Sequence, residues 1–163
     1  MISFDQITVQ RGTKVLLKEA TTLIHNKEKV GLIGRNGSGK SSLFSLILRE
    51  LEPMLGEISY SKQLRFSHLA QETPALEQSA QDYVLDGDQN FRSLEKSMAK
   101  ESDINKLGAL QEQFEAIDGY RKASLACQLL HGLGFSSEEF EHSVKSFSGG
   151  WRMRLNLSQC LMC

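Results

Sequence analysis

Apolar positions change their spacing along the chain, and the changes mark out its elements. Ile2, Phe4, Ile7 and Val9 alternate with polar residues in two phases that switch at Asp5 and Gln6, which predicts one bulged strand or two short ones. A second strand is predicted over residues 14–24. Residues 29–33 (KVGLI) are short, mostly apolar and bounded by turn formers, the pattern of a strand covered on both faces of a parallel sheet. Gly34 follows at once. From Lys40 the residues Leu43, Phe44, Ile47, Leu48 and Leu51 recur at helical spacing, until Pro53 and Gly56 stop the run. The order is therefore strand, glycine loop, helix. Residues 57–60 and 64–69 read as two further short strands.

The second half is helical. It begins near Ser79 and breaks at Asp86-Gly87-Asp88, where Gly87 suits a C′ position and Asp88 an N-cap. It resumes through Phe91, Leu94 and Met98. After a polar break at residues 101–103, Ile104, Leu107, Leu110, Phe114 and Ile117 again share one face, so the two helices should form an antiparallel hairpin over about 88–118. A third helix over about 120–131 ends at Gly132 and Gly134, and Ser136 with Glu139 makes a capping box for a short fourth.

Composition narrows the function classes. Lys and Arg number 19 against 20 Asp and Glu, a formal charge of −1, so coating nucleic acid through bulk charge is excluded and any such contact must be local. No apolar run approaches the roughly 20 residues needed to cross a bilayer. The first ten residues lack a basic segment followed by an apolar core, and a cytoplasmic location is expected. Three cysteines fit a reducing compartment; the Cys160/Cys163 pair has no second ligand pair and is assigned to chance.

The chemistry is concentrated in two glycine segments. Gly34-Arg35-Asn36-Gly37-Ser38-Gly39-Lys40-Ser41 matches G-x-x-x-x-G-K-[ST] at every fixed position. In such a loop the backbone N–H groups converge on an anion, and the helix starting there adds its positive dipole end. Gly34, Asn36, Gly37, Ser38, Gly39, Lys40, Ser41 and Ser42 are thus the candidate phosphate binders, with Lys40 on the β and γ phosphates and the Ser41 hydroxyl on Mg²⁺. The second segment, Ser148-Gly149-Gly150, precedes a helix bearing Met153, Leu155, Leu157 and Leu161, a second anion-accepting terminus or simply an N-capped helix after a glycine turn.

Together the two segments resemble the ATP-binding cassette ATPases, in which the first is the Walker A loop and the second the signature loop. The sequence Phe147-Ser148-Gly149-Gly150-Trp151-Arg152-Met153-Arg154 is similar to the ABC-F family, whose members carry two tandem cassettes and act on ribosomes. Residues 30–37 and 71–76 look most like the first cassette of its bacterial YheS-like subgroup. The resemblance implies ATP and Mg²⁺ as cofactors, with Gln71 as the Q-loop glutamine that helps Ser41 hold the metal. It implies that Ser148, Gly149 and Gly150 serve ATP held by a second cassette of the parent chain, and that the 88–118 hairpin occupies the place of the ribosome- or tRNA-contacting arm. Arg11 stands where many cassettes stack an aromatic residue on adenine, and its guanidinium is a candidate base contact or a solvent-facing group.

The fold expected is α/β: an incomplete P-loop NTPase core of an ATP-binding cassette with a small antiparallel β portion and a helical subdomain. The divisions are 1–75 for the β portion and P-loop core, 76–147 for the helical subdomain and 148–163 for the signature helix. Residues 152–163 contain no Asp or Glu to support Mg²⁺ or polarise water. The expectation is therefore an N-terminal piece that stops before Walker B, binding ATP without a catalytic residue of its own and inactive alone, from an ATPase that acts in translation and not on membranes. Two rivals stay open: the nucleotide-binding subunit of an ABC transporter, and a catalytically inactive binding fragment.

Overall fold

Burial of every apolar residue of the first strand on one side, despite the switch in spacing, requires an irregular backbone there. The computed structural model, which describes residues 1–69 and 75–163, supplies it. Strand β1 (Ile2–Arg11) pairs antiparallel with β2 (Lys14–Ile24) and with β3 (Leu55–Tyr60), in the order β2-β1-β3. The register slips on both sides of β1 after Phe4, and Gln6 takes a φ of 47°. The extra residues rotate the strand so that Phe4, Ile7 and Val9 are all buried. Opposite the slip, Gly56 comes so close to the Asp5 and Gln6 carbonyls that any side chain there would strike them. Helix α1 (Lys40–Ile47) lays Leu46 onto this face with Ile58, and Leu16, Leu17, Leu43 and Leu51 close the cluster.

The chain divides into two units, Met1–Phe66 and Ser67–Cys163, and the described elements of the second are all helices or 3-10 turns. Helix α2 (Ala80–Leu85) is capped by Ser79, whose hydroxyl accepts the Asp82 N–H at 3.2 Å. Helices α3 (Gln89–Lys100) and α4 (Ile104–Ala116) form the expected antiparallel hairpin. The Phe91 ring near the start of α3 lies 5.4 Å from the Phe114 ring near the end of α4. A 3-10 turn (Gly119–Arg121) leads into α5 (Lys122–Gly132), and two more (Ser137–Glu141, Val144–Ser146) lead to α6 (Gly149–Met162). Val84, Phe91, Leu94, Phe114, Leu130, Phe135, Val144 and Leu155 make up most of the core of this unit.

Two expectations are corrected. Residues 29–33 form no strand, and the Ile33 side chain is 96% exposed. A strand hidden on both faces needs neighbours on both edges, and the described sheet offers this segment none. Residues 64–69 are also not a strand: the Leu64 N–H donates to the Ser61 carbonyl at 3.0 Å, and the chain turns so that Phe66 meets the edge of Tyr60. Gly87 takes the C′ position expected of it, directly after Asp86, the C-cap of α2. Its missing side chain also lets the chain pass against the Gln159 carbonyl of α6. The capping box at Ser136 and Glu139 is present with both of its bonds.

Candidate nucleotide-binding site

The glycine loop connects residues 29–33 to α1, and its shape follows from where glycine is required. Gly37 (φ 75°) and Gly39 (φ 100°) occupy the left-handed region, which costs any other residue about 1–2 kcal/mol. Ser38 N–H donates to the Arg35 carbonyl at 3.1 Å and closes the turn. A Cβ on Gly34 would lie 2.6 Å from the Ser38 hydroxyl, which would have to rotate away. Asn36 forms the turn's apex, and Gly39 is the N-cap of α1.

Lys40 folds back over this loop. Its ammonium donates to the Gly34 carbonyl at 2.7 Å and to the Arg35 carbonyl at 3.0 Å, which places a positive charge at the rim. In the first turn of α1 the Ser41 side chain is exposed and Ser42 is buried. Their order follows the helical twist, one residue facing out and the next facing the sheet. The N-terminal amides of α1 receive no side-chain cap, the arrangement that suits an incoming anion.

A contact that sequence reasoning missed comes from β2. Lys14 donates from its ammonium to the Gly37 carbonyl at 3.1 Å. Arg11 is its direct ladder partner across the hairpin turn at Gly12, so both cations lie at the hairpin's loop end. Arg11 is exposed. The usable signal was the register: a hairpin that turns at Gly12 puts Lys14 opposite Arg11.

The signature segment lies in the other unit. Ser148 is the N-cap of α6 in extended backbone, yet its hydroxyl makes no cap bond. Ser148, Gly149 and Gly150 are all exposed, and nothing lies within 4 Å of a Cβ added at either glycine. Behind them the start of α6 is held firmly. The Trp151 ring packs edge-on against Phe135 at 4.8 Å, and Arg154 stacks over Trp151 at 4.5 Å while donating to the Leu133 carbonyl at 3.2 Å. The segment before α6 is zipped to the entry of α2: Ala80 N–H donates to the His142 carbonyl, and Val144 N–H to that of Gln78. Further along α6, the Tyr83 hydroxyl donates to Asn156 and the Gln159 amide donates to the Tyr83 carbonyl. Burial raises the Tyr83 pKa above its ordinary value, aided by Cys160 and Asp86. Gln71 lies outside the described residues.

Comparison with known proteins places this architecture. A family profile described as ABC transporter matches residues 17–163. The chain belongs to that family. It is 48% identical over its whole length to "Probable ATP-binding protein YheS" of Haemophilus influenzae and 43% identical to the Escherichia coli protein of that name. It is 32% identical over 90% of its length to "ATP-binding cassette sub-family F member 2" of Mus musculus, of which it covers 23%. The chain spans 26% of the YheS relatives' length. Among solved structures it matches an ATP-binding subunit of an ABC transporter at a TM-score of 0.69 and 16% identity, over 99% of this chain and 61% of that one. A dimeric post-hydrolysis ATP-binding cassette bound to ADP and Pi matches at 0.65 and 17%, over 99% and 69%. The fold is that of an ABC ATPase domain with an incomplete P-loop core. No described helix is long and apolar enough to cross a membrane.

Proposed function

We propose that this chain binds ATP on the loop from Gly34 to Ser42 and belongs to an ABC-F ATPase whose activity is exerted on the ribosome. The observation that carries the reading is the Lys40 ammonium poised on the Gly34 and Arg35 carbonyls, beside two left-handed glycines and the uncapped start of α1. Phosphate oxygens arriving there would meet convergent amides and draw Lys40 off its resting carbonyls. Charge-assisted bonds to phosphate are stronger than the neutral acceptors they replace. Arg11, at the hairpin end, is the candidate contact for the base.

Ser41 presents an exposed hydroxyl on the first turn of α1. An oxygen donor beside the phosphate loop suits Mg²⁺, which takes few protein ligands and shares phosphate oxygens. Ser41 and Gln71 would hold it, and when bound it neutralises charge on the β and γ phosphates. Ser148, Gly149 and Gly150, exposed at the start of a rigidly seated helix, are suited to ATP held by a second cassette. ATP closing such a pair, and hydrolysis reopening it, would then set affinity for the ribosome. The divisions 1–75, 76–147 and 148–163 are the working domains of this reading.

The ribosome assignment rests on the ABC-F relatives and on the hairpin. Its base is buried through Phe91, Leu94 and Phe114, whereas its tip exposes Lys100, Lys106 and an 85%-exposed Ile104. Identities of 43–48% to YheS proteins favour this over a transporter subunit. Isothermal titration of Mg·ATP into the chain tests the binding. Lys40→Ala should cost about 2 kcal/mol or more. Equal affinities for the two proteins would overturn the reading.

A further inference from the structure

We propose that Lys14 is a positioning residue of the phosphate loop, clamping the Gly37 carbonyl so that the loop is already shaped before nucleotide arrives. The inference rests on the reading of residues 34–42 as an ATP site and extends it to a residue outside that loop.

Strand β2 touches the loop at two points. Lys14 and Leu16 flank Val15 where the β1–β2 register slips, and both reach the loop. Gly37 and Gly39 are likewise two apart in the loop. Lys14 donates to the Gly37 carbonyl at 3.1 Å, and a Cβ added to Gly39 would lie 3.1 Å from the Leu16 Cβ. The strand thus supports both left-handed glycines, one by a charged hydrogen bond and the other by close packing.

The clamp falls on a specific peptide plane. The carbonyl of Gly37 and the N–H of Ser38 are the two polar ends of one peptide group. Lys14 holds the first, and the Arg35 carbonyl holds the second at 3.1 Å. Arg35 O is in turn held by Lys40. The chain Lys14, Gly37/Ser38, Arg35, Lys40 therefore runs from the hairpin to the phosphate-reaching lysine. Glycine at 37 has the widest conformational freedom of any residue, so a free Gly37 would sample many orientations that bind nothing. Lys14 itself is held by its ladder position opposite Arg11.

The test titrates Mg·ATP and Mg·tripolyphosphate into the 163-residue chain carrying Lys14→Met, Lys14→Arg or Lys40→Ala, with melting temperatures for each. Loss of preorganisation of one loop residue should raise the Lys14→Met dissociation constant about tenfold. The factor should be the same for ATP and tripolyphosphate, the melting temperature unchanged, and Lys14→Arg should recover most of the affinity. Unchanged affinity in Lys14→Met, with loss in Lys40→Ala, overturns the role of Lys14 and leaves the ATP site standing. Weakening confined to ATP places Lys14 at the base or ribose and overturns the clamp. A lowered melting temperature, with no recovery by arginine, reduces Lys14 to fold support and overturns it too. No nucleotide binding by the unsubstituted chain overturns both this inference and the ATP reading.

Discussion

Asp88 accepts the Phe91 N–H at 3.0 Å through one carboxylate oxygen and holds the Lys122 ammonium at 2.7 Å through the other, so a single side chain joins the start of α3 to the start of α5. Asp88 is only 5% exposed. Removing one partner of such a pair leaves a charge stranded out of water. Lys122→Met should therefore destabilise the helical unit by about 3 kcal/mol. Asp88→Asn, which keeps an N-cap oxygen, should cost less. In the double variant the stranded charge is gone, and urea unfolding should show a loss smaller than the sum of the singles.

The Tyr83–Asn156 bond is one of those that seat α6 against α2. Tyr83→Phe should cost about 1–2 kcal/mol, because the Asn156 oxygen loses its buried donor. Thermal unfolding of the chain measures it, and a loss below about 0.5 kcal/mol would mean that this bond adds little to the seating of α6.

Glu139 gives a pH dependence with a definite sign. Its carboxylate accepts the Ser136 N–H at 2.8 Å and the Ser136 hydroxyl at 3.1 Å, and these bonds hold its pKa below the ordinary glutamate value. A carboxyl with a depressed folded-state pKa adds stability above its unfolded pKa, about 4.3, and loses it as pH falls through the folded value. The melting temperature should thus fall more steeply below pH 4 in the native chain than in Glu139→Gln. Parallel curves for the two would show that the capping box adds nothing to acid stability.

Much of this fold was legible in the sequence because it is governed by local rules. The β1–β2 hairpin, the loop-to-α1 junction, the α3–α4 hairpin and the Ser136–Glu139 box all follow from period, caps and turn residues within a few positions of one another. What was not legible depends on distant partners. KVGLI reads as a buried strand because its residues are apolar, but pairing is decided by neighbours that a local window does not contain. Gly87 reads as the residue after a helix end, which it is, but the close approach of Gln159, 72 positions away, is a further demand for glycine that no local window shows. Within the site, the loop residues are visible as a motif, whereas Lys14 becomes visible only when the hairpin register is drawn.

Hydrolysis should be absent from the chain alone. Phosphoryl transfer to water needs a group to orient the nucleophile, and residues 152–163 bring no carboxylate after the signature loop. A malachite-green phosphate assay should match buffer. Turnover that is abolished by Lys40→Ala would instead show that another carboxylate acts as base, Glu72 being the nearest in sequence to the Q-loop position.

Ribosome contact, if the proposed arm is correct, should be confined to the hairpin tip. Residues 88–118 carry four basic against seven acidic side chains, whereas 96–106 carry three against two. In a protein holding this chain beside a second cassette and trapped with ATP, replacing Lys96, Lys100 and Lys106 by glutamine should weaken co-sedimentation with ribosomes and flatten its salt dependence. An unchanged salt slope would leave the hairpin as scaffold.

The most direct measurement of the central claim is an amide NMR titration of the 163-residue chain with Mg·ATP. The account predicts that the largest shifts fall on Gly37, Ser38, Gly39, Lys40 and Ser41, and that Lys40→Ala suppresses them at the same ATP concentration. Shifts centred elsewhere, or equal shifts in the Lys40→Ala chain, would contradict it.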